Sequence, residues 1–346
     1  MWLESKSGDK SPYIIAEIGN NHLGSLEIAK LTIDAAVECR VDAVKFQLFK
    51  PEKLVTDIEP VLPHVPDKRE KTQRERFRRM ALSNSDMDEV VEYCKAKQID
   101  FLCTPFDLDS LDYISDKVPF VKIASGDADY RILIEAVVDL GLPIAVSTGM
   151  LGLKQIDRLV SWLPSEKSAI MHCVSSYPTP DISAHLSVID LLKNRYSLPI
   201  GYSCHTPDGL ACLVAAAKGV SLIEKHFILT KTLPAGDRAV SLEPSELAEL
   251  VTKVRRISCL QGENCMDKVD NDAELANKRA LRRTPYFNRD LKAGDVVRVA
   301  DLDFVRPYVA GTVKLPTITQ ESSWYLKKDV SSGEPFKQSD IREEWS

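Results

Sequence analysis

The sequence predicts an α/β protein, a TIM (β/α)8 barrel followed by a small β-rich C-terminal domain. Eight short apolar runs recur between residues 13 and 226, and helical patterns fill most of the intervals. Each run carries a polar or ionisable side chain at or just beyond its end, where a barrel opens its mouth. After about residue 262 the pattern changes to short strand-like runs and turn residues with little helix. A doubly wound open sheet is the competing architecture, but its usual GxGxxG turn is missing.

In chain order the strands are expected at YIIAEIG (13–19), DAVKFQL (42–48), IDFLCT (99–104), FVKIAS (120–125), PIAVST (143–148), SAIMHC (168–173), LPIGYS (198–203) and SLIEKH (221–226). Their wealth of Val, Ile and Phe makes a parallel barrel the economical solution. Amphipathic spacing predicts helices at 25–39, with Ser25 as N-cap, and at 86–98. Strands follow one another at about 20–30 residues, except that about fifty residues separate the second from the third. The excess, residues 49–80, is Pro-rich and then strongly basic. It reads as a solvated excursion with a charged helix, or as a loop over the barrel mouth that helps hold substrate. The domains expected are a barrel over 1–261, a polar linker with some helix over 262–282, and a β-rich module over 283–346.

Composition narrows the function classes. The 346 residues are 44% hydrophobic, ample for a core, and the net charge of −6 gives no electrostatic reason to expect nucleic acid or an anionic membrane as partner. No apolar run reaches the length of a membrane span, and the N-terminus lacks the apolar core of a signal peptide. Eight cysteines form no CxxC pair, so reduced thiols in a cytoplasmic protein are expected.

The strand ends supply the candidate site. They carry Glu17 with Asn20, Asn21 and His22, then Lys45 and Gln47, Thr104, Lys122 and Ser125, Ser147 and Thr148, Tyr177, Ser203 and His205, and Glu224 with His226. Lys45 and Lys122 lie inside strand runs, where a charge without a partner costs several kcal/mol. Either Glu17 or Glu224 pairs with them, or they await a phosphate or carboxylate, with Ser125, Ser147 and Thr104 adding neutral donors. His205 and His226 end consecutive strands and should be neighbours, an arrangement able to hold a divalent ion. His64 and His185 read as surface residues.

Taken together, AEIGNNHLGS, DAVKFQLFKPEKLVT, CTPFD, KIASGD, VSTGM, HCVSSYPTP, GYSCHTPDG and IEKHF resemble the sialic acid synthase family, in order over residues 13–250. The family includes N-acetylneuraminate synthase and its legionaminic and pseudaminic acid synthase relatives. The resemblance implies condensation of phosphoenolpyruvate with an N-acylated amino sugar to a nine-carbon 2-keto acid, and an antifreeze-like (SAF) C-terminal domain. Phosphoenolpyruvate would be held by Lys45, Thr104, Lys122, Ser125, Ser147 and Ser203, and a divalent metal by His205 and His226. Manganese is the first expectation, with magnesium or cobalt as alternatives. Glu17 matches the catalytic glutamate, which acts with Lys45 and Lys122. Tyr177 and Asp237 match residues that contact the sugar, and Arg283 matches an arginine donated across a domain-swapped homodimer.

The chain departs from the family pattern at four places. Cys204 replaces an aspartate beside His205, Ser175 an asparagine, and Thr230 an aspartate, while AGDR, carrying Asp237 and Arg238, stands where GPDH is frequent. Arg238 would then alter acceptor recognition through its fixed donors, or merely pack at the surface. The acceptor would be N-acetylmannosamine or a di-acetamido trideoxyhexose. Two other readings remain: a non-catalytic sugar-binding relative, and an aldolase forming a Schiff base on Lys45 or Lys122.

Overall fold

Every expected apolar run forms a parallel strand: β1 (Tyr13–Gly19), β2 (Ala43–Leu48), β3 (Asp100–Pro105), β4 (Val121–Ile123), β5 (Ile144–Ser147), β6 (Ser168–Cys173), β7 (Ile200–Cys204) and β8 (Leu222–His226). The structure is a computed structural model that describes residues 11–61, 65, 69–262 and 271–342, so His64 and Cys265 lie outside the described residues. The hydrogen-bonded order is β3-β2-β1-β8-β7-β6-β5-β4, and β3 packs beside β4 to close the ring. β4 is shorter than residues 120–125 because Ser125–Asp127 turns into a 3-10 helix.

Helices cover the outside: α1 (Leu26–Glu38), α2 (Pro51–Leu54), α3 (Gln73–Met80), α4 (Asn84–Ala96), α5 (Leu108–Ile114), α6 (Arg131–Asp139), α7 (Leu153–Val160), α8 (Ser187–Arg195), α9 (Leu210–Ala217) and α10 (Pro244–Gln261). Ser25 caps α1 through the amide of Ile28, and Ser83 with Asp86 forms a capping box on α4, which starts two residues before the expected helix. The long insertion after β2 contains α2 and α3, and a second capping box, Thr72 with Glu75, starts α3.

Side chains alternate across each strand, so one set fills the barrel and the other faces the helices. Tyr13, Ile15, Ala43, Leu102, Phe120, Ala145, Ala169, Met171 and Leu222 form the apolar floor inside the ring. A Cβ at Gly201 would come within 2.9 Å of Met171 Cγ, so the floor is already full there. Two residues further along most strands the inward position turns polar: Ile15 gives way to Glu17, Ala43 to Lys45, Leu102 to Thr104, Phe120 to Lys122, Ala145 to Ser147 and Leu222 to Glu224. This switch, at constant parity, sets the pocket on a dry base.

Contacts divide the chain into two compact units, Met1–Glu263 and Asn264–Ser346. The second contains α11 (Leu275–Leu281) and two antiparallel pairs, β9 (Thr284–Phe287) with β11 (Leu302–Val305) and β10 (Val296–Arg298) with β12 (Ser323–Tyr325). Its own core gathers Phe287, Val297, Leu302, Leu326, Val330 and Phe336.

Candidate active site

The inward polar positions converge on one cavity of about 110 Å³ at the C-terminal ends of the strands. Glu17, Lys45, Thr104, Lys122, Ser125, Ser147, Tyr177, Ser203, His205, His226 and Asp237 all line it, with Gln47, Cys173 and Glu224. Both lysines are almost wholly buried. Lys45 Nζ lies 2.7 Å from Glu17 Oε2 and 3.8 Å from Glu224 Oε1, and it donates to Thr104 Oγ1 at 3.0 Å. Lys122 Nζ lies 3.7 Å from Glu224 Oε2 and donates to Ser147 Oγ at 2.7 Å and to Ile123 O at 3.0 Å. Glu224 therefore stands between the two ammonium groups, and Ser203 donates to its Oε1 at 3.3 Å.

The two carboxyls differ in proton affinity, and their surroundings say why. Burial raises Glu17 above the usual glutamate range, with Lys45 opposing and Glu224 adding to the rise. Burial acts on Glu224 in the same sense, but Lys122 and Lys45 outweigh it and hold that carboxyl down at about 2. Of the two, Glu17 therefore has the higher proton affinity, while Glu224 stays ionised. Gln47 donates to Glu17 Oε1 at 2.8 Å and accepts from Asn20 at 2.9 Å, which fixes the Glu17 side chain.

Two imidazoles complete one wall, with ring centres 5.2 Å apart. Tyr177 packs 4.1 Å from the His205 ring centre and edge-on to His226. Nδ1 of His205 donates to Val174 O at 2.8 Å, which leaves Nε2 as a lone-pair donor. Nδ1 of His226 is buried with no hydrogen-bond partner among the described residues, and Asp237 Oδ2 lies 3.8 Å away. Burial holds His205 down at about 4 and His226 at about 3, so both rings are neutral near pH 7. This donor set fits a divalent ion held by two nitrogens, with its other positions open to oxygen ligands. The described residues hold no cluster of three or more His, Cys, Asp or Glu side chains suited to enclosing a metal.

The departures find local explanations. Cys204 faces outward, 3.2 Å from Thr206 Oγ1 and 3.7 Å from Lys225 Nζ, so the carbonyl of Val174 rather than residue 204 orients His205. A Cβ on Gly149 would stand 2.3 Å from Ser175 Oγ and 2.7 Å from Ser125 Oγ, so the glycine leaves room for both hydroxyls. Thr230 makes a local turn contact with Thr232 at 3.1 Å. Arg238 is exposed and absent from the cavity lining, since the chain turns Asp237 inward and its neighbour out. Arg283 lies in the second unit, where its Nη1 donates to Phe304 O at 2.6 Å. His185 is exposed at the surface.

Fold and pocket together define a (β/α)8-barrel protein with buried cations and neutral imidazoles at the ends of its strands. The NeuB family model matches residues 32–266, and the chain belongs to that family, a sialic acid synthase type. An uncharacterized protein of Methanocaldococcus jannaschii is 34% identical, with 85% of each chain covered. The N,N'-diacetyllegionaminic acid synthase of Legionella pneumophila is 32% identical, with 88% of each covered. Among solved structures, the N-acetylneuraminic acid (sialic acid) synthetase of Leptospira borgpetersenii superposes with a TM-score of 0.69 at 33% identity, covering 78% of this chain and 90% of that one.

Proposed function

We propose that the protein condenses phosphoenolpyruvate with an N-acylated amino sugar, giving a nine-carbon 2-keto sugar acid and inorganic phosphate by C–O cleavage. One observation carries this reading: two buried ammonium groups and a ring of hydroxyls share a cavity with two neutral imidazoles. Lys45 and Lys122, with Thr104, Ser125, Ser147 and Ser203 as neutral donors, suit a small substrate carrying both phosphate and carboxylate. His205 and His226 would hold manganese, magnesium or cobalt, which when bound polarises the aldehyde oxygen of the acceptor.

The enolpyruvate methylene carbon adds to the aldehyde carbon, and the new alkoxide takes a proton. Positive charge then develops at the carbon that bears the phosphate ester. Glu17, ionised and fixed by Gln47, accepts a proton from the water that adds to that carbon. Collapse of the adduct expels phosphate by C–O cleavage and leaves the 2-keto group. Glu224 lies beside both lysines before substrate enters and opposes the burial that favours their neutral forms.

Exposed apolar residues stand in the loops and first helical turns after β4 to β7, namely Ile132, Met150, Leu153, Ile182 and Leu210. Because they rim the same end of the barrel as the cavity, a second copy covering the mouth would bury them. Such a homodimer would let Arg283 of the partner's C-terminal domain, antifreeze-like by sequence, reach the acceptor. The reaction is tested by placing oxygen-18 in the ester bridge of phosphoenolpyruvate. Label in the released phosphate supports the proposal, and label retained in the keto acid contradicts it.

A further inference from the structure

A second cavity, of about 220 Å³, adjoins the first and shares Gln47, Tyr177 and Asp237 with it. Asn20 lines this second cavity and is absent from the lining of the first. It reaches the candidate base all the same, through Gln47. Asn20 Nδ2 donates to Gln47 Oε1 at 2.9 Å, and Gln47 Nε2 donates to Glu17 Oε1 at 2.8 Å.

The direction of these bonds follows from the carboxyl at their end. An ionised carboxylate has lone pairs and no proton to offer, so Gln47 must turn an N–H toward it. The Gln47 carbonyl then points away and needs a donor, which Asn20 supplies. Asn20 Oδ1 is buried with no hydrogen-bond partner among the described residues, so turning that amide round would lose one bond and gain none. The loop after β1 makes room for the arrangement. Gly19 stands at φ +52°, and a Cβ there would lie 2.8 Å from Glu17 Oε1 and 3.1 Å from Gln47 Nε2, against both ends of their bond. Asn21 donates to Phe227 O at 2.8 Å and to Ser241 Oγ at 3.0 Å, which ties the loop to the segment after β8.

We infer that Asn20 is a positioning residue of the reaction: by holding the Gln47 carboxamide with its N–H toward Glu17, it keeps that carboxyl in the proton-accepting form. The inference rests on the proposed synthase reading, in which Glu17 takes the proton of water. Without a donor at residue 20, the Gln47 amide is free to turn its carbonyl toward Glu17. A carbonyl at that place favours the protonated acid, since only the acid has a hydrogen to donate. The charged and titratable groups around Glu17 are Lys45 from β2, Glu224 and His226 from β8, and Lys122, Cys173, Tyr177, His205 and Asp237 on the rest of the cavity wall. A change at Asn20 alters none of them.

The test follows the acid-side midpoint of kcat/KM, with whichever amino sugar is turned over, in the wild type, Asn20→Asp and Asn20→Ala. Aspartate keeps the size of asparagine but accepts where asparagine donates, so the midpoint should rise by about one pH unit. Alanine removes the donor without adding charge and should raise it by less. In a Gln47→Met background, Asn20→Ala should leave the midpoint where Gln47→Met alone puts it, because the amide that carries the effect is gone. A midpoint unmoved by either substitution overturns the inference. So does one that Asn20→Ala moves equally with and without Gln47, as a residue that only supports the fold would do. Difference infrared spectroscopy of the Glu17 carboxyl band, identified by its loss in Glu17→Gln, gives the same midpoint without turnover. If no sugar is turned over but Asn20→Asp raises the infrared midpoint, the synthase reading falls and the hold of Asn20 on Glu17 stands. If a sugar is turned over and the infrared midpoint ignores both substitutions, the reading stands and the inference falls. If neither occurs, both fall.

Discussion

At the scale of single residues, the account turns on the split between two buried carboxyls. Glu17→Gln should lower kcat by about a hundredfold to ten-thousandfold, because an amide cannot accept the proton of water. Phosphoenolpyruvate binding measured by calorimetry should survive, since Lys45 keeps Glu224 and Thr104 as partners. Only ionised Glu17 can act as base, and burial raises its proton affinity. Hence kcat/KM should fall as pH drops through a midpoint above the ordinary glutamate value of about 4.3. A profile that stays flat down to that value would remove Glu17 from the proton transfer. Glu224→Gln leaves both buried ammonium groups without their shared counter-charge and should cost about 3–5 kcal/mol in urea unfolding. Saturating phosphoenolpyruvate should recover part of that loss by resupplying negative charge.

At the scale of elements, α3 forms one side of the cavity that adjoins the active site and is held firmly there. Phe77 packs edge-on against Phe49 at 5.1 Å, and Gly24, at φ +79°, lets the β1–α1 loop come so close that a Cβ would lie 2.3 Å from Arg79 O. Gly24→Ala should push the helix outward and raise the acceptor KM several-fold, with phosphoenolpyruvate KM nearly unchanged; equal changes in both would contradict this role for α3. The sequence made the barrel readable because apolar runs and their polar ends repeat eight times, and alternation alone predicts which residues of a strand face inward. It did not reveal that α3 lines a cavity, since QRERFRRM has the look of a solvated face and no periodicity distinguishes the buried Arg76 from its neighbours. The same alternation turns Cys204, next to the inward Ser203, away from the pocket. Glu224 was legible as a strand-end carboxylate, but its place between both lysines depends on the closing of the ring.

At the scale of the whole molecule, the barrel carries the buried lysines, the hydroxyls and the imidazole pair of the cavity, and the second unit has its own core. A chain ending after Gln261 should keep calorimetric binding of phosphoenolpyruvate and lose acceptor affinity, if Arg283 of a second copy completes the site. A truncated protein with an unchanged acceptor KM would contradict that assembly. On the proposed reading borohydride should trap no covalent adduct with phosphoenolpyruvate or pyruvate, because the lysines would serve as cations rather than as Schiff-base nucleophiles. The most direct measurement of the central claim is release of inorganic phosphate from phosphoenolpyruvate with manganese present, against N-acetylmannosamine, its 6-phosphate and two di-acetamido trideoxyhexoses. The account predicts release that requires one of these sugars, stops with chelator and returns when manganese is restored. Release without any sugar, or activity indifferent to chelator, would contradict it.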